Sequence, residues 1–293
     1  MNSPTVLVTG AAGRLGRAVV PELSAAGWRV VAADRQPPPD GHVAGVPVVR
    51  ADLTDPRGPA GLVAGCDAVV HLAAHPSPYD LPGHEVFGNN TRTTYHVLEA
   101  AARSGVRNAV IASSTAAYGF TFPPRRTSPL HAPVDEEHPL LPQDPYSLSR
   151  QVDEATAAML ARRHGMTVVA LRFHWVATAA EIARRVREVR ADPEFGRSVA
   201  ELWGYLEIGE AARACRAALA VAEGTHAVNV TAPDTLSEIP TADLLARFHP
   251  STHQRHALSG TASAWSTTRA REVLGFAPRW SWRTELTKEN RPS

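Results

Sequence analysis

Tyr146 and Arg150 stand four residues apart in the stretch DPYSLSR, and a second hydroxyl-bearing stretch, SSTAAYG, lies upstream at 113–119. A spacing of four puts two side chains on one helix face. A phenol beside a fixed cation is a candidate proton carrier, because the positive charge favours the phenolate and lets the ring take a proton from a carbinol. Ser114, at the end of the apolar run NAVIASS, is placed to hold the oxygen from which that proton leaves. Such a set suits hydride transfer at a carbon bearing a hydroxyl, with Tyr146 as acid/base, Ser114 orienting the oxygen and Arg150 supplying charge. The bland alternative is an ordinary tyrosine–arginine helix pair.

The elements that must position these groups are legible. TVLVT (5–9) is a buried strand that runs into TGAAGRLG, followed by a helical pattern. Gly10 permits the tight turn, Gly13 lets the backbone approach a pyrophosphate, and Gly16 lets the helix pack against the sheet. Ala12, Arg14 and Leu15 share that loop, whose helix N-terminus offers free N–H groups to phosphates. Strand before and helix after are the context that makes a glycine triplet a dinucleotide site. Asp34 ends the second strand, WRVVAAD, where a carboxylate binds both hydroxyls of an adenosine ribose; this favours NAD. Arg14 and Arg35 keep NADP open, since a guanidinium pairs with a 2′-phosphate. Asp52, followed by Leu53 after the third strand, suits either the adenine amino group or an N-cap.

Apolar strands alternating with helices predict an α/β fold, a Rossmann-type doubly wound parallel sheet. We expect a dinucleotide-binding core over 1–173, with a Pro-rich active-site loop at 120–143. Residues 174–293 form a small mixed α/β substrate-binding portion, discontinuous with the core. The 293 residues are 44% hydrophobic and 20% charged with net charge +1, so no one-signed field invites nucleic acid or a membrane surface. With two cysteines, no basic leader and no long apolar run, a cytoplasmic protein is expected. His249, His253 and His256 lie in a Pro-containing polar stretch without a completing carboxylate or cysteine, and no metal site is expected.

Taken in order, TGAAGRLG, the AD at 33–34, ADL at 51–53, GCDAVVHLAA at 65–74, Asn90 in NNTRTTYHVLEAA, SSTAAYG and PYSLSR resemble the extended short-chain dehydrogenase/reductase family, also described as the NAD-dependent epimerase/dehydratase family. The resemblance implies an NAD(P)-dependent enzyme with Tyr146 as acid/base, Ser114 beside it, and Arg150 where the family has lysine. It also implies Asn90 behind the site, His71, Leu72, Ala73 and Ala74 along the cofactor, and a homodimer through the helices of Asn90 and Tyr146. The compact layout is most similar to uronate-dehydrogenase-like members, which implies a sugar-like small-molecule substrate near His75, Thr115, Arg172 and His174. Arg172 would face a substrate carboxylate or pair within the fold. The arginine keeps the charge but, unlike lysine, is never deprotonated. Two alternatives stay open: an epimerase/dehydratase with retained NAD and, because arginine replaces the lysine, a non-redox enzyme or nucleotide-sensing binder.

Overall fold

A run such as TVLVT has no polar alternation, so it is stable only between two covering layers, and all five of its residues are buried. The computed structural model describes residues 3–79, 81–125 and 127–289. Its elements are β1 (Thr5–Thr9), α1 (Gly16–Ala25), β2 (Arg29–Asp34), β3 (His42–Val43), β4 (Val46–Arg50), β5 (Ala68–His71), α2 (Gly83–Arg103), β6 (Asn108–Ser114), β7 (His131–Ala132), α3 (Pro145–His164), β8 (Thr167–Phe173), β9 (Val176–Ala177), α4 (Ala179–Ala191), β10 (Leu206–Glu207), α5 (Ile208–Ala218), β11 (Thr225–Val230), α6 (Thr241–Phe248), β12 (His253–Gln254), α7 (Thr268–Leu274) and α8 (Trp282–Glu289).

Eight strands form one sheet in the order β11-β8-β6-β5-β1-β2-β4-β3. Every pairing is parallel except the short β3–β4 ribbon. Val97, Leu98 and Leu160 of α2 and α3 cover one face against Val69 and Ile111. Val19 and Leu23 of α1, with Cys215 of α5 and Leu274 of α7, cover the other. The fold is the doubly wound α/β sheet that the strand pattern predicts. Successive strands are added to one side of β1 and then, from β5, to the other, and this reversal opens a crevice at the strands' carboxyl ends.

The chain beyond residue 173 does not stay outside the core. β11 extends the sheet along β8, from Thr225 opposite Val168 to Val230 opposite Phe173, because β8 would otherwise leave an apolar edge. What sits above the crevice is a smaller body. Trp203, Tyr205, Ile182, Leu244 and Trp282 form one of its cores. Tyr118, Phe120, Leu202 and Trp265 form another, joining the 120–143 loop to the C-terminal part. That loop is tied down by β7 pairing with β12 and by Val134 bridging to Trp265. The three histidines near α6 share no helix: His249 is buried just past its end, and His253 begins β12. No helix among the described residues is long and apolar enough to cross a membrane.

Candidate active site and cofactor cleft

The stretch DPYSLSR makes its own helix start. The Asp144 side chain accepts a hydrogen bond from the Ser147 N–H (2.9 Å), and Pro145 sits at the first helical position, where a missing N–H costs nothing. Tyr146 therefore stands in the first turn of a 20-residue helix, at the positive end of its dipole. Arg150 follows one turn later with its Cζ 5.0 Å from the centre of the Tyr146 ring. The expected one-face geometry is realised as guanidinium over phenol.

Arg150 is almost fully buried. Its Nη1 donates to the Ala112 carbonyl (3.0 Å) and to Oδ2 of Asp153 (3.1 Å), while Nε has no partner. Burial pushes the Asp153 carboxyl up to about 6, and the Arg150 charge holds it back from rising further. His71, at the end of β5, bonds Thr9 Oγ1 through Nδ1 (2.7 Å) and Thr94 Oγ1 through Nε2 (3.3 Å). Burial, then the Arg150 charge, depress it to about 3, so this ring stays neutral.

Ser114 ends β6, and its Oγ accepts from the Ala116 N–H (3.1 Å), which starts a tight turn over 115–118. Ser114, Thr115, Tyr146 and Arg150 border one lobe of a cleft, about 540 Å³. A second lobe of about 310 Å³ is bordered by Asp34, Arg35, Asp52 and Leu53. Gly10, Gly13, Leu72 and Ala74 line both, so the lobes form one trough across the glycine loop. Ala12 and Ala73 border the smaller lobe; Arg14, Leu15 and Gly16 border the larger.

The trough fits a dinucleotide. At Gly10, φ is +67° and an added Cβ would lie 2.7 Å from the Ala73 nitrogen. The loop's close approach to the chain after β5 thus depends on glycine. Asp34 is fixed by the Ala12 N–H (3.0 Å) and the Gln36 N–H (3.0 Å), which hold its carboxylate at the rim of the smaller lobe. Asp52 accepts from the Thr54 N–H and hydroxyl; these bonds keep its carboxyl below the usual range. No helix follows Asp52, so the bonds cap a turn rather than a helix.

Other expected residues sit differently. Asn90 is fully buried and bonded to the backbone of His75 at both N–H and C=O and to Ser149, so it locks the loop after β5 to α3. His75 borders the smaller lobe and not the larger one that Tyr146 borders. Thr115 borders the larger lobe and donates to the Phe173 carbonyl (3.5 Å). His174 lines the larger lobe with both ring nitrogens engaged: Nδ1 accepts from the Trp175 N–H, which leaves Nε2 to donate to the Glu201 carbonyl. Of the two readings of Arg172, the structure shows the pairing within the fold and not a place at the cleft. Arg172 forks onto Glu154 (2.9 and 2.7 Å) and donates to the Tyr118 hydroxyl (2.7 Å), and it does not border the cleft. Glu154 also accepts from Ser113 (2.6 Å), so this set braces β6, α3 and β8 under the site.

The upper wall was not visible in the motifs. Phe122 meets the Tyr146 and Tyr79 rings edge-on, both at 5.7 Å, with the Arg197 guanidinium 4.9 Å from its centre. Arg197 donates to Glu201 Oε1 (3.0 Å), and both border the larger lobe. Leu202 and Trp203 follow with φ of +51°, a left-handed conformation unfavourable for large side chains. The Trp203 indole N–H bonds the Pro193 carbonyl (2.7 Å), which holds this turn. Asp153 alone had a sequence signal: it stands three residues after Arg150 on the same helix.

The model of the NAD dependent epimerase/dehydratase family matches residues 6–231. An L-arabinose 1-dehydrogenase (NAD(P)(+)) of Haloferax volcanii is 32% identical over 205 residues, covering 68% of this chain and 76% of that protein. A UDP-glucose 4-epimerase of Azospirillum brasilense is 32% identical over 192 residues, covering 60% of this chain and 50% of that one. A short-chain dehydrogenase/reductase superfamily protein from Agrobacterium tumefaciens, solved with bound NAD, superposes with a TM-score of 0.69 at 25% identity, covering 98% of this chain and 100% of that one.

Proposed function

We propose that this chain, which belongs to the NAD-dependent epimerase/dehydratase family, transfers hydride between NAD and the carbinol or carbonyl carbon of a monosaccharide-sized substrate, with Tyr146 as the acid/base. The observation that carries the reading is that Ser114, Tyr146 and Arg150 border one lobe that is continuous with the glycine-loop trough. When bound, NAD supplies the acceptor for the hydride leaving the carbinol carbon. Tyr146 takes the hydroxyl proton, Ser114 holds the oxygen, and the product is the carbonyl compound. The start of α3 and the Arg150 guanidinium, 5.0 Å from the ring centre, hold the Tyr146 phenol at the wall of this lobe.

Charge pairing in the larger lobe narrows the substrate. Each arginine bordering it has a carboxylate: Arg14 with Glu181 (2.7 and 2.8 Å), Arg150 with Asp153 and Arg197 with Glu201. Among the described residues no unmatched cation is offered to a sugar acid, so a neutral polyol fits better. The test is a panel of neutral aldoses and uronates with NAD and with NADP, following nicotinamide absorbance. Neutral aldoses turning over at least about tenfold more efficiently with NAD supports the reading, a difference of about 1.4 kcal/mol in transition-state binding. Reduction of neither cofactor by any member removes it.

The likeness to a UDP-glucose 4-epimerase favours a second reading, an epimerase or dehydratase that keeps its NAD through the cycle. NAD co-purifying in native mass spectrometry would favour that cycle. We also propose a homodimer, because α2 and α3 leave Tyr95 (40%) and Leu148 (42%) exposed on neighbouring helices. Light scattering at twice the chain mass supports it, and a monomer contradicts it.

A further inference from the structure

Arginine at 150 is explained by a residue one turn further along α3. Both of its hydrogen bonds come from Nη1, to Ala112 O and to Asp153 Oδ2. Asp153 is only 1% exposed; its Oδ2 takes the Arg150 bond, and its Oδ1 is buried without a hydrogen-bond partner. The guanidinium keeps further N–H groups on Nε and Nη2; Nε is buried without a hydrogen-bond partner, and the side chain borders the larger lobe. A buried donor with no acceptor is costly unless a ligand supplies one.

We propose that Asp153 is the positioning residue for the site: it pins one nitrogen of Arg150 so that the rest of the guanidinium is presented to NAD, and its presence is what makes arginine necessary at this position. The physical reason is a count of donors. Arginine spreads five N–H groups over three nitrogens in a fixed fork, so it serves Asp153 at one nitrogen and the cofactor at another. Lysine carries its three N–H groups on one atom, which a buried carboxylate three residues away would draw to itself. Thr94 and Glu154 are the other groups that act on Asp153, and His71 stands across from Arg150. The inference rests on the proposed binding of NAD in the trough that Arg150 borders; it does not depend on which substrate reacts.

The test is a four-protein cycle: wild type, Arg150→Lys, Asp153→Asn and the double variant. NADH affinity is measured by fluorescence titration, and the thermal unfolding of each apo protein is recorded alongside. Arg150→Lys should bind NADH at least about tenfold more weakly, and Asp153→Asn about threefold to tenfold more weakly. The double variant should return to within about threefold of wild type, a non-additivity expected only of directly interacting residues. If Arg150→Lys does not fold, the double variant still has to bind NADH as well as Asp153→Asn or better. Losses that simply add, or Arg150→Lys binding like wild type, would overturn the pairing. Melting temperatures that track the binding losses without rescue would reduce Asp153 to a structural counter-ion. Rescued binding with no turnover by any of the four proteins would keep the pairing and remove the redox reading.

Discussion

The two lobes of the cleft are built in different ways. The smaller lobe is made of backbone and short motifs: Gly10 and Gly13 on one loop, Asp34 at a strand end two elements later, Asp52 just after β4. Asp52 is fixed by Thr54, two residues on, and Asp34 by Gln36 and by Ala12 of the glycine loop. The larger lobe is assembled from afar. Arg14 reaches Glu181, Phe122 meets Tyr79, Tyr146 and Arg197, and His174 meets Glu201. The smaller lobe is thus set largely by short motifs, and the larger lobe by the folded body above it. Changes in each half should separate in measurement.

The largest separation should come from Tyr146→Phe. It removes the proton carrier and nothing else, so kcat should fall by about 10³-fold or more while NADH affinity stays within about threefold. A variant retaining a tenth of the activity would remove Tyr146 from the chemistry. Gly13→Val attacks the other half. Its Cβ would lie 3.2 Å from the Gly10 carbonyl, so the turn must give by a few tenths of an ångström, and its side chain blocks the approach to a pyrophosphate. NAD affinity should drop by about 10²-fold in calorimetric titration at a temperature where the apo protein is folded. Arg197→Ala removes the charge over Phe122 and frees Glu201. We expect KM for the sugar to rise about tenfold with NADH affinity unmoved; a rise in the cofactor constant instead would show that the halves are not separable.

The smallest effect is in stability against pH. Burial depresses His71 to about 3, so the folded protein leaves it neutral while the unfolded chain binds a proton below 6.5. Its stabilisation is present above 6.5 and is lost as pH falls toward 3, by about 1 kcal/mol between pH 6.5 and 5.5. Asp153, raised to about 6 from 3.8, acts in the opposite sense: the folded state gains as pH falls from about 6 toward 3.8. Wild type should therefore show a shallow acid limb, and His71→Asn a shallower one by about that 1 kcal/mol, in urea unfolding at the two pH values. Equal slopes would mean that His71 is not held neutral.

The same division decides what could be read from the sequence. Periodicity recovered the sheet and its covering helices, because buried parallel strands leave unmistakable apolar runs. It also recovered the glycine loop, Asp34 and the Tyr146–Arg150 face, whose geometry is set within one turn. It missed the two-residue strands: β3, β9 and β10, too short to show a period, and β7 and β12, whose pairing also depends on segments over a hundred residues apart. Phe122, Arg197 and Glu201 fall in aperiodic stretches, so nothing local marks them as wall residues. Arg172 shows the converse. A cation at a strand end looks like a ligand contact until Glu154 and Tyr118 are brought beside it.

The most direct test of the account is isotopic. A neutral aldose deuterated at the carbinol carbon is incubated with the protein and NAD, and the nicotinamide is examined by mass spectrometry. The account predicts deuterium on the reduced cofactor with wild type and none with Tyr146→Phe. A protein that binds NAD yet moves no label from any deuterated neutral or acidic sugar would contradict it.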